Sequence, residues 1–297
     1  MTFDKFTSRV TIRGQIIAET GLHIGSGASS LDPSASDSPV IRDGGGRPFI
    51  PGSSFKGALR AHLESLVRGA GRTNFQSCDP LAAPCINPDD IKQIKEDAEK
   101  DAETEAKAQG DERLKRVIQD QLLTNRIINR TCVVCQLFGS PWLASHAMIK
   151  DLFVAPDWWA GKIERRDGVG IDRDTETARQ GVKYDFDVVP ASTRFDLEII
   201  AENADDDLLG LLAIGLRDME RQRVSLGGKT SRGLGGVKLK LNEVEVVGDD
   251  AAEAFDGDGK VDLLNYLIEG KGRLLKDTAA ESYLGSKVKE LAKARLK

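Results

Sequence analysis

Three segments of this 297-residue chain alternate apolar and polar residues at a period of two, and two apolar stripes at helical spacing fall between them. Residues 10–18 put Val10, Ile12, Ile16 and Ala18 on one face. Residues 194–202, RFDLEIIAE, alternate again, and Val237, Leu239 and Leu241 alternate against Lys238 and Lys240. A period of two is the signature of a strand with one buried face. Between the strands, Phe55, Leu59, Leu63 and Leu66 recur at helical spacing, with Ser53 or Ser54 in the N-cap position. Leu208, Leu212, Leu216 and Met219 form the second stripe, behind Asp205 to Asp207 at the positive end of the helix. Strand–helix–strand–helix–strand with few crossovers predicts an α+β fold of the split βαβ, ferredoxin-like kind.

At 40% hydrophobic and 30% charged residues, the chain can bury one substantial core with insertions, or two modest domains. The start, MTFDKFTSRV, has no apolar signal region. The longest apolar run, Leu208 to Leu216, falls far short of the ~20 residues of a membrane span. The expectation is a cytoplasmic protein with no membrane contact. The net charge of −5 looks unsuited to nucleic acid until it is divided along the chain. Residues 89–120 carry 11 acids and 7 bases, and residues 249–258 carry 5 acids and no base, which leaves +4 on the remainder. Because local potential decides the partner, a mildly basic body with acidic attachments can still hold a phosphate backbone.

The segments outside the strands and stripes are distinct in character. Residues 25–38, GSGASSLDPSASDS, consist of turn formers and read as an exposed loop. Residues 89–123 are charged and Ala-rich, with Ile91, Ile94, Leu114, Ile118 and Leu122 spaced as on helices broken near Gly110. They read as a helical insertion. Residues 160–190 are polar and Gly-punctuated, long enough to project as a hairpin. Past Gly248 an acidic linker leads to two short helices, VDLLNYLIEG and SKVKELAKARL, which read as a C-terminal appendage.

The stretch Ser225 to Gly236, SLGGKTSRGLGG, contains a GKT triplet that raises a nucleotide-binding loop as a possibility. Such a loop needs a glycine five residues earlier, where Arg223 stands, and a helix afterwards, where a strand begins. The triplet is therefore excluded as a triphosphate cradle. Its glycines let the main chain come close to a ligand, and Gly227, Gly228, Lys229, Ser231, Arg232 and Gly233 become candidate phosphate contacts. Lys56 and Arg60, spaced to share a helix face after a third glycine segment, are further candidates. With aromatics at 5%, contact by backbone shape and charge fits better than a stacking platform.

All four cysteines fall into two pairs. Cys132 and Cys135 form a C-x2-C knuckle, and Cys78 and Cys85 form a looser C-x6-C pair. This pattern predicts a structural four-thiolate zinc that pins the base of the helical insertion; with no open coordination position it would have no catalytic role.

TGLHIGSG, DSPVIRDGGGRPFIPGSSFKGALR, CQLFGS, GIDRDTETA and LGGKTSRGLGGVKL occur in this order in a known family. The chain resembles the RAMP backbone subunits of type III CRISPR effector complexes, of the Csm-three or Cas-seven kind. The resemblance spans residues 8–248, outside the helical insertion. It implies an RNA-recognition-like palm over 1–248 with a thumb hairpin inserted at 160–190, whereas the zinc and helical insertion at 70–140 and the tail 249–297 are not part of the common pattern. It also implies partners: a guide CRISPR RNA touched by the glycine loop, a single-stranded target RNA, and other subunits of the complex. The thumb segment brings Arg173, Asp174, Arg179 and Lys183 toward the guide–target duplex. The family's cleaving subunits use a loop aspartate that matches Asp37, acting with Mg²⁺; Asp32 in the same loop is the fallback. Two other functions remain open: a non-cleaving scaffold in which Asp37 only shapes the loop, and a stand-alone nuclease trimming the guide precursor, for which His23 is the candidate histidine.

Overall fold

The computed structural model describes residues 4–27, 36–248 and 263–295, so that Asp32 and the acidic linker 249–258 lie outside the described residues. Strand β1, Ser8–Ala18, runs through the centre of a five-stranded antiparallel sheet. Its neighbours are β7, Arg194–Glu202, on one side and β8, Val237–Gly248, on the other. β3, Ala147–Ile149, extends the sheet beyond β7, and β9, Arg273–Lys276, beyond β8. The register follows the apolar pattern. Ile12 stands opposite Ile199 and Val244, and Ile16 opposite Phe195 and Leu239, so all six side chains point into one core. A one-residue slip would turn that whole set outward.

Helix α1, Gly52–Ala70, and helix α5, Asp206–Glu220, contribute Phe55, Leu59, Leu63, Leu208, Leu212, Leu216 and Met219 to the same core. Two local details differ from the sequence reading. Val67, not Leu66, continues the α1 stripe, and Leu66 is 42% exposed. Neither Ser53 nor Ser54 caps the helix: the chain enters it from Pro51, and the Gly52 N–H donates to Asp151 Oδ1 at 2.7 Å. The cap comes from a residue distant in sequence, which local propensity cannot reveal.

Asn87 and Asp90 form a capping box at the start of α2, Pro88–Gln109, which ends at Gly110 in the left-handed conformation. It packs against α3, Lys115–Arg130, through Ala98, Ala102, Ala106 and Ile118, while Ile91, Ile94 and Ile127 form a second small cluster with Leu143. Leu114 sits on the connecting turn and is exposed. The short helix α4, Val133–Phe138, starts inside the Cys132–Cys135 pair and places Val134 and Leu137 in the main core. β5, Glu164–Ile171, and β6, Ala178–Val188, make a two-stranded hairpin of their own, largely exposed on β5. β2, Phe49–Ile50, pairs with β4, Leu152–Phe153. Among the described residues no helix is long and apolar enough to cross a membrane.

The C-terminal segment departs from the appendage expected of it. The helix Asp277–Arg295 buries Ala280, Tyr283, Leu284 and Leu291 in the main core. It lies so close to α5 that a Cβ on Gly210 would stand 2.5 Å from the Lys287 carbonyl oxygen. Lys287, only 2% exposed, pairs with Asp206 at 2.6 Å, and Arg295 pairs with Asp207 at 2.6 Å. The acids at the positive end of α5 thus also bind the last helix. A poorly amphipathic sequence obscured this role, because the buried face of the helix includes a charged residue, Lys287, held as a pair with Asp206. Leu291→Ala is expected to destabilise the whole domain by about 2–5 kcal/mol, read as a lower urea midpoint. A tail that merely hung from the body would leave the main transition unmoved.

Candidate nucleic-acid interface

The chain leaves β1 through Leu22, whose main chain pairs both ways with Val189, and arrives at His23. This imidazole is 5% exposed and touches three different segments. Its Nδ1 lies 2.7 Å from the Asp187 carbonyl oxygen. A carbonyl can only accept, so Nδ1 carries the proton, and in the neutral ring Nε2 accepts from the Ser38 hydroxyl at 3.2 Å. The His23 carbonyl in turn accepts the Gly228 N–H at 2.8 Å. The ring edge packs on Phe186, with centroids 5.9 Å apart. One histidine therefore joins the loop before Val40, the base of β6 and the glycine stretch.

Segment 36–38 lies along the same end of β6. Asp37 donates its N–H to Asp185 Oδ1 at 2.7 Å, and Asp185 donates its own N–H to Asp37 Oδ2 at 3.0 Å. One residue on, the Asp187 N–H donates to the Ser38 carbonyl at 3.0 Å. The Asp187 carboxylate is buried and pairs with Arg42 at 3.0 Å. The Asp37 N–H holds the half-buried Asp185 carboxyl below its usual range, helped by the Ser36 hydroxyl and the charge of Arg165.

The glycine stretch closes the third side. Leu226 and Gly235 bond across it, and Gly235 donates to the Gly21 carbonyl. Gly227 has φ +78°, and a Cβ there would stand 2.3 Å from the His23 carbonyl oxygen. Lys229 is a non-glycine residue at φ +60°, a strained conformation of the kind that gathers at functional sites. Its ammonium lies 4.6 Å from the Phe186 ring centroid and 5.7 Å from that of Tyr184. Arg232 bonds the Tyr184 hydroxyl, with its guanidinium 5.8 Å from the ring centre. Tyr184 and Phe186 stack on each other at 6.2 Å. Two cations thus share one aromatic face, while Ser231 and Gly233 are exposed beside them.

The other candidates are placed elsewhere. Lys56 donates to Ser145 Oγ at 2.9 Å and to the Ala147 carbonyl at 3.3 Å; burial, then the charge of Arg60, lowers its pKa. Arg60 donates to Glu64 at 2.8 Å, the Gly139 carbonyl at 3.0 Å and Cys135 Sγ at 3.1 Å. Both cations are engaged within the protein, and none of these partners belongs to the glycine stretch. Lys183 pairs with Asp167 at 3.0 Å on the hairpin. Arg173 and Asp174 are exposed at its tip, where Asp172 Oδ1 accepts the N–H groups of Asp174 and Thr175. The side chain of Arg179 lies outside the described residues. His62 and His146 bond Asp218 at 2.9 Å and the Glu202 carbonyl at 2.7 Å.

The ligand atoms of Cys78, Cys85, Cys132 and Cys135 all lie within 4.8 Å of one another. Cys78 Sγ is 3.4 Å from Cys135 Sγ and 3.9 Å from Cys132 Sγ, and the Cys132 N–H donates to Cys85 Sγ at 3.2 Å. Hydrogen bonds from Cys135 and Cys85 push the Cys132 thiol well below its ordinary range. The bonds to Cys132 raise its partners, Cys85 to about 12 and Cys135 further still. The cluster has the distances and donor atoms of a metal site.

The model of the RAMP superfamily matches residues 15–238, from the middle of β1 to the start of β8. The chain belongs to the RAMP superfamily. It is 29% identical over 250 residues to the CRISPR system Cms endoribonuclease Csm3 of Methanocaldococcus jannaschii, covering 80% of this chain and 81% of that protein. It is 25% identical over 263 residues to the protein of the same name from Methanothermobacter thermautotrophicus, covering 86% of this chain and 95% of the relative. The Csm3 of Enterococcus italicus is 28% identical over 244 residues, or 82% of this chain and 95% of that one.

In this RAMP chain the sequence reading missed Tyr184, Phe186, Asp185 and Asp187. Their signal is visible in hindsight as the alternation YDFD, which puts two aromatics on one face of β6 and two carboxylates on the other. The close approach of the glycine stretch to His23 can be checked by thermal melting. Gly227→Ala meets both a positive φ and a carbonyl at 2.3 Å and should cost more than ~1 kcal/mol. Gly228→Ala, whose Cβ would have only ordinary contacts from 3.6 Å, should be tolerated. Equal melting of the two variants would show that these main chains are not in contact.

Proposed function

We propose that this chain is a guide-RNA-binding backbone subunit of a type III CRISPR interference complex, and that it cleaves guide-paired target RNA through Asp37. The observation that carries the reading is the meeting of three segments on His23: the cationic glycine stretch, the base of the β5–β6 hairpin and the loop bearing Asp37. Lys229, Arg232 and the main chain around Gly227, Gly228, Ser231 and Gly233 would grip the sugar–phosphate chain of the guide. The β5–β6 hairpin is read as the thumb, with Arg173, Arg179 and Lys183 as its contacts to the duplex. The interleaved order of β1, α1, β3, β7, α5 and β8, with strands arranged β3–β7–β1–β8, is read as a ferredoxin-like palm. The cytoplasm, where thiols stay reduced, suits the four free cysteines.

Target cleavage needs a ribose 2′-hydroxyl held in line with the adjacent phosphorus. In this reading the exposed Asp37 carboxylate accepts that hydroxyl's hydrogen bond, and Asp185 holds the Asp37 main chain. Magnesium, when bound, supplies charge neutralisation at the scissile phosphate, and the Asp37 oxygens are of the hard kind that it prefers. A rival scaffold role has one observation in its favour: an aspartate accepting a main-chain N–H, as Asp37 does from Asp185, is also an ordinary loop former. Asp37→Ala separates the two. It should abolish cutting at this subunit's position while the assembled complex keeps its guide, and unchanged cutting would leave the scaffold role.

The sulfur cluster is read as a structural zinc site. Four thiolates at Zn–S distances of about 2.3 Å stand about 3.8 Å apart; Cys78 Sγ lies 3.4 Å from Cys135 Sγ and 3.9 Å from Cys132 Sγ, on either side of that value, within a cluster no wider than 4.8 Å. The Arg60 guanidinium bonded to Cys135 Sγ favours the ionised sulfur. Reduced protein should purify with about one zinc per chain, and a content near zero would remove the assignment. Guide affinity should fall steeply with salt. Replacing both Lys229 and Arg232 with alanine should flatten the slope of log affinity against log salt by about 0.7 for each phosphate left without its cation. An unaltered slope would place the guide elsewhere.

A further inference from the structure

Asp185 stands on β6, beside the loop that carries Asp37, and exchanges two hydrogen bonds with that residue. Loops position catalytic groups poorly unless a rigid element holds them. β6 is such an element here. From Glu164 to Val169 its partner strand faces it residue for residue, with Asp185 opposite Asp167. At its base Phe186 and Val188 are buried in one small cluster with Leu234 of the glycine stretch. The strand that faces Asp37 is therefore packed against the stretch that would seat the guide.

β6 grips the loop at two points with the two carboxylates of one face. Asp187 takes the far end, pairing with Arg42 at 3.0 Å. Asp185 takes the near end, where its Oδ1 accepts the Asp37 N–H at 2.7 Å and its N–H donates to Asp37 Oδ2 at 3.0 Å. Two carboxylates this close would normally repel. Here each is answered by the other residue's N–H, so the pairing is directional rather than a chance meeting of acids. It also leaves Asp37 a second oxygen for substrate.

We propose that Asp185 is a positioning residue for Asp37: its carboxylate fixes the Asp37 main chain to the thumb base, so that target cleavage depends on it while guide and target binding do not. The inference rests on the reading of Asp37 as the cleaving residue. It assigns Asp185 the role of an acceptor, not of a charge. Arg165, 3.6 Å from the Asp185 carboxylate, serves as a control, since its ion pair touches Asp185 without touching Asp37.

The test uses the ribonucleoprotein complex assembled around the full chain, with a labelled single-stranded RNA complementary to the guide as probe. Guide content, target affinity and single-turnover cutting at saturating target are measured for Asp37→Ala, Asp185→Ala, Asp185→Asn and Arg165→Ala. Asp185→Ala should cut roughly 100-fold more slowly, the scale of a small misplacement of a reacting group, with guide content and target affinity unchanged. Asp185→Asn keeps the oxygen acceptor and should cut near the wild-type rate, as should Arg165→Ala. Wild-type cutting by Asp185→Ala beside an inactive Asp37→Ala would overturn this inference alone. Slow cutting by Asp185→Asn would do the same by showing that the charge is what matters, and loss of guide from Asp185→Ala would show a merely structural part. Normal cutting by Asp37→Ala would instead remove the reading beneath it.

Discussion

The antiparallel pairing of β1 with both β7 and β8 is the constraint on which the rest of the molecule depends. A central strand has both edges bonded and, here, one face fully buried, so its register and direction are fixed. The segments that meet at His23 leave from this framework at one end. β1 runs out into His23, β8 is entered from the glycine stretch, and β6 comes down beside Leu22 through the Leu22–Val189 pairing. Three segments distant in sequence meet because β1 and β8 are neighbours in the sheet and the Leu22–Val189 pairing brings the base of β6 beside them.

His23 then turns that proximity into a defined geometry. The contacts it organises are chiefly to main-chain groups: the Asp187 carbonyl, the Gly228 N–H and, through Gly227, a close passage of two backbones. Main-chain contacts tolerate little displacement, which accounts for glycine where Gly227 passes the His23 carbonyl. Charge follows the same logic. The chain is net acidic, yet the junction presents Lys229 and Arg232 on an aromatic face, each held by a contact weak enough to be exchanged for a phosphate oxygen.

The core was legible in the sequence because period two and the helical stripes are direct images of burial: Val10, Ile12, Ile16, Phe55, Leu59 and Leu212 stand where the pattern puts them. The four cysteines were legible for a similar reason, since their chemistry leaves few uses for two close pairs. What escaped depends on contacts made across the fold. Asp151 capping α1, Asp185 facing Asp37 and Lys287 reaching Asp206 join residues about 80 to 150 positions apart. The C-terminal helix escaped because its buried face includes a lysine, which hydropathy counts as solvent-facing. Lys56 and Arg60 illustrate the converse: good spacing on a helix face does not tell whether the cations face solvent or, as here, the neighbouring chain.

The open face of the sheet bears on the proposal that the loops contact RNA. On an RNA-recognition-like sheet, aromatic side chains would offer stacking surfaces to bases. Here that face carries a lattice of ion pairs. Arg13 bonds Glu198, Glu243 and Glu245, Lys150 pairs with Glu198, and Arg9 pairs with Glu202 and lies near the rings of Phe6 and Tyr266. Lys150, then Arg13, holds the Glu198 carboxyl below its usual range, so the lattice is charged and internally satisfied at neutral pH. A phosphate approaching Arg13 would have to displace three carboxylates and would leave them facing its own charge. Lys229 on its aromatic rings and Arg232 on the Tyr184 ring and hydroxyl, at the end of the sheet, have no carboxylate to displace among the contacts described for them.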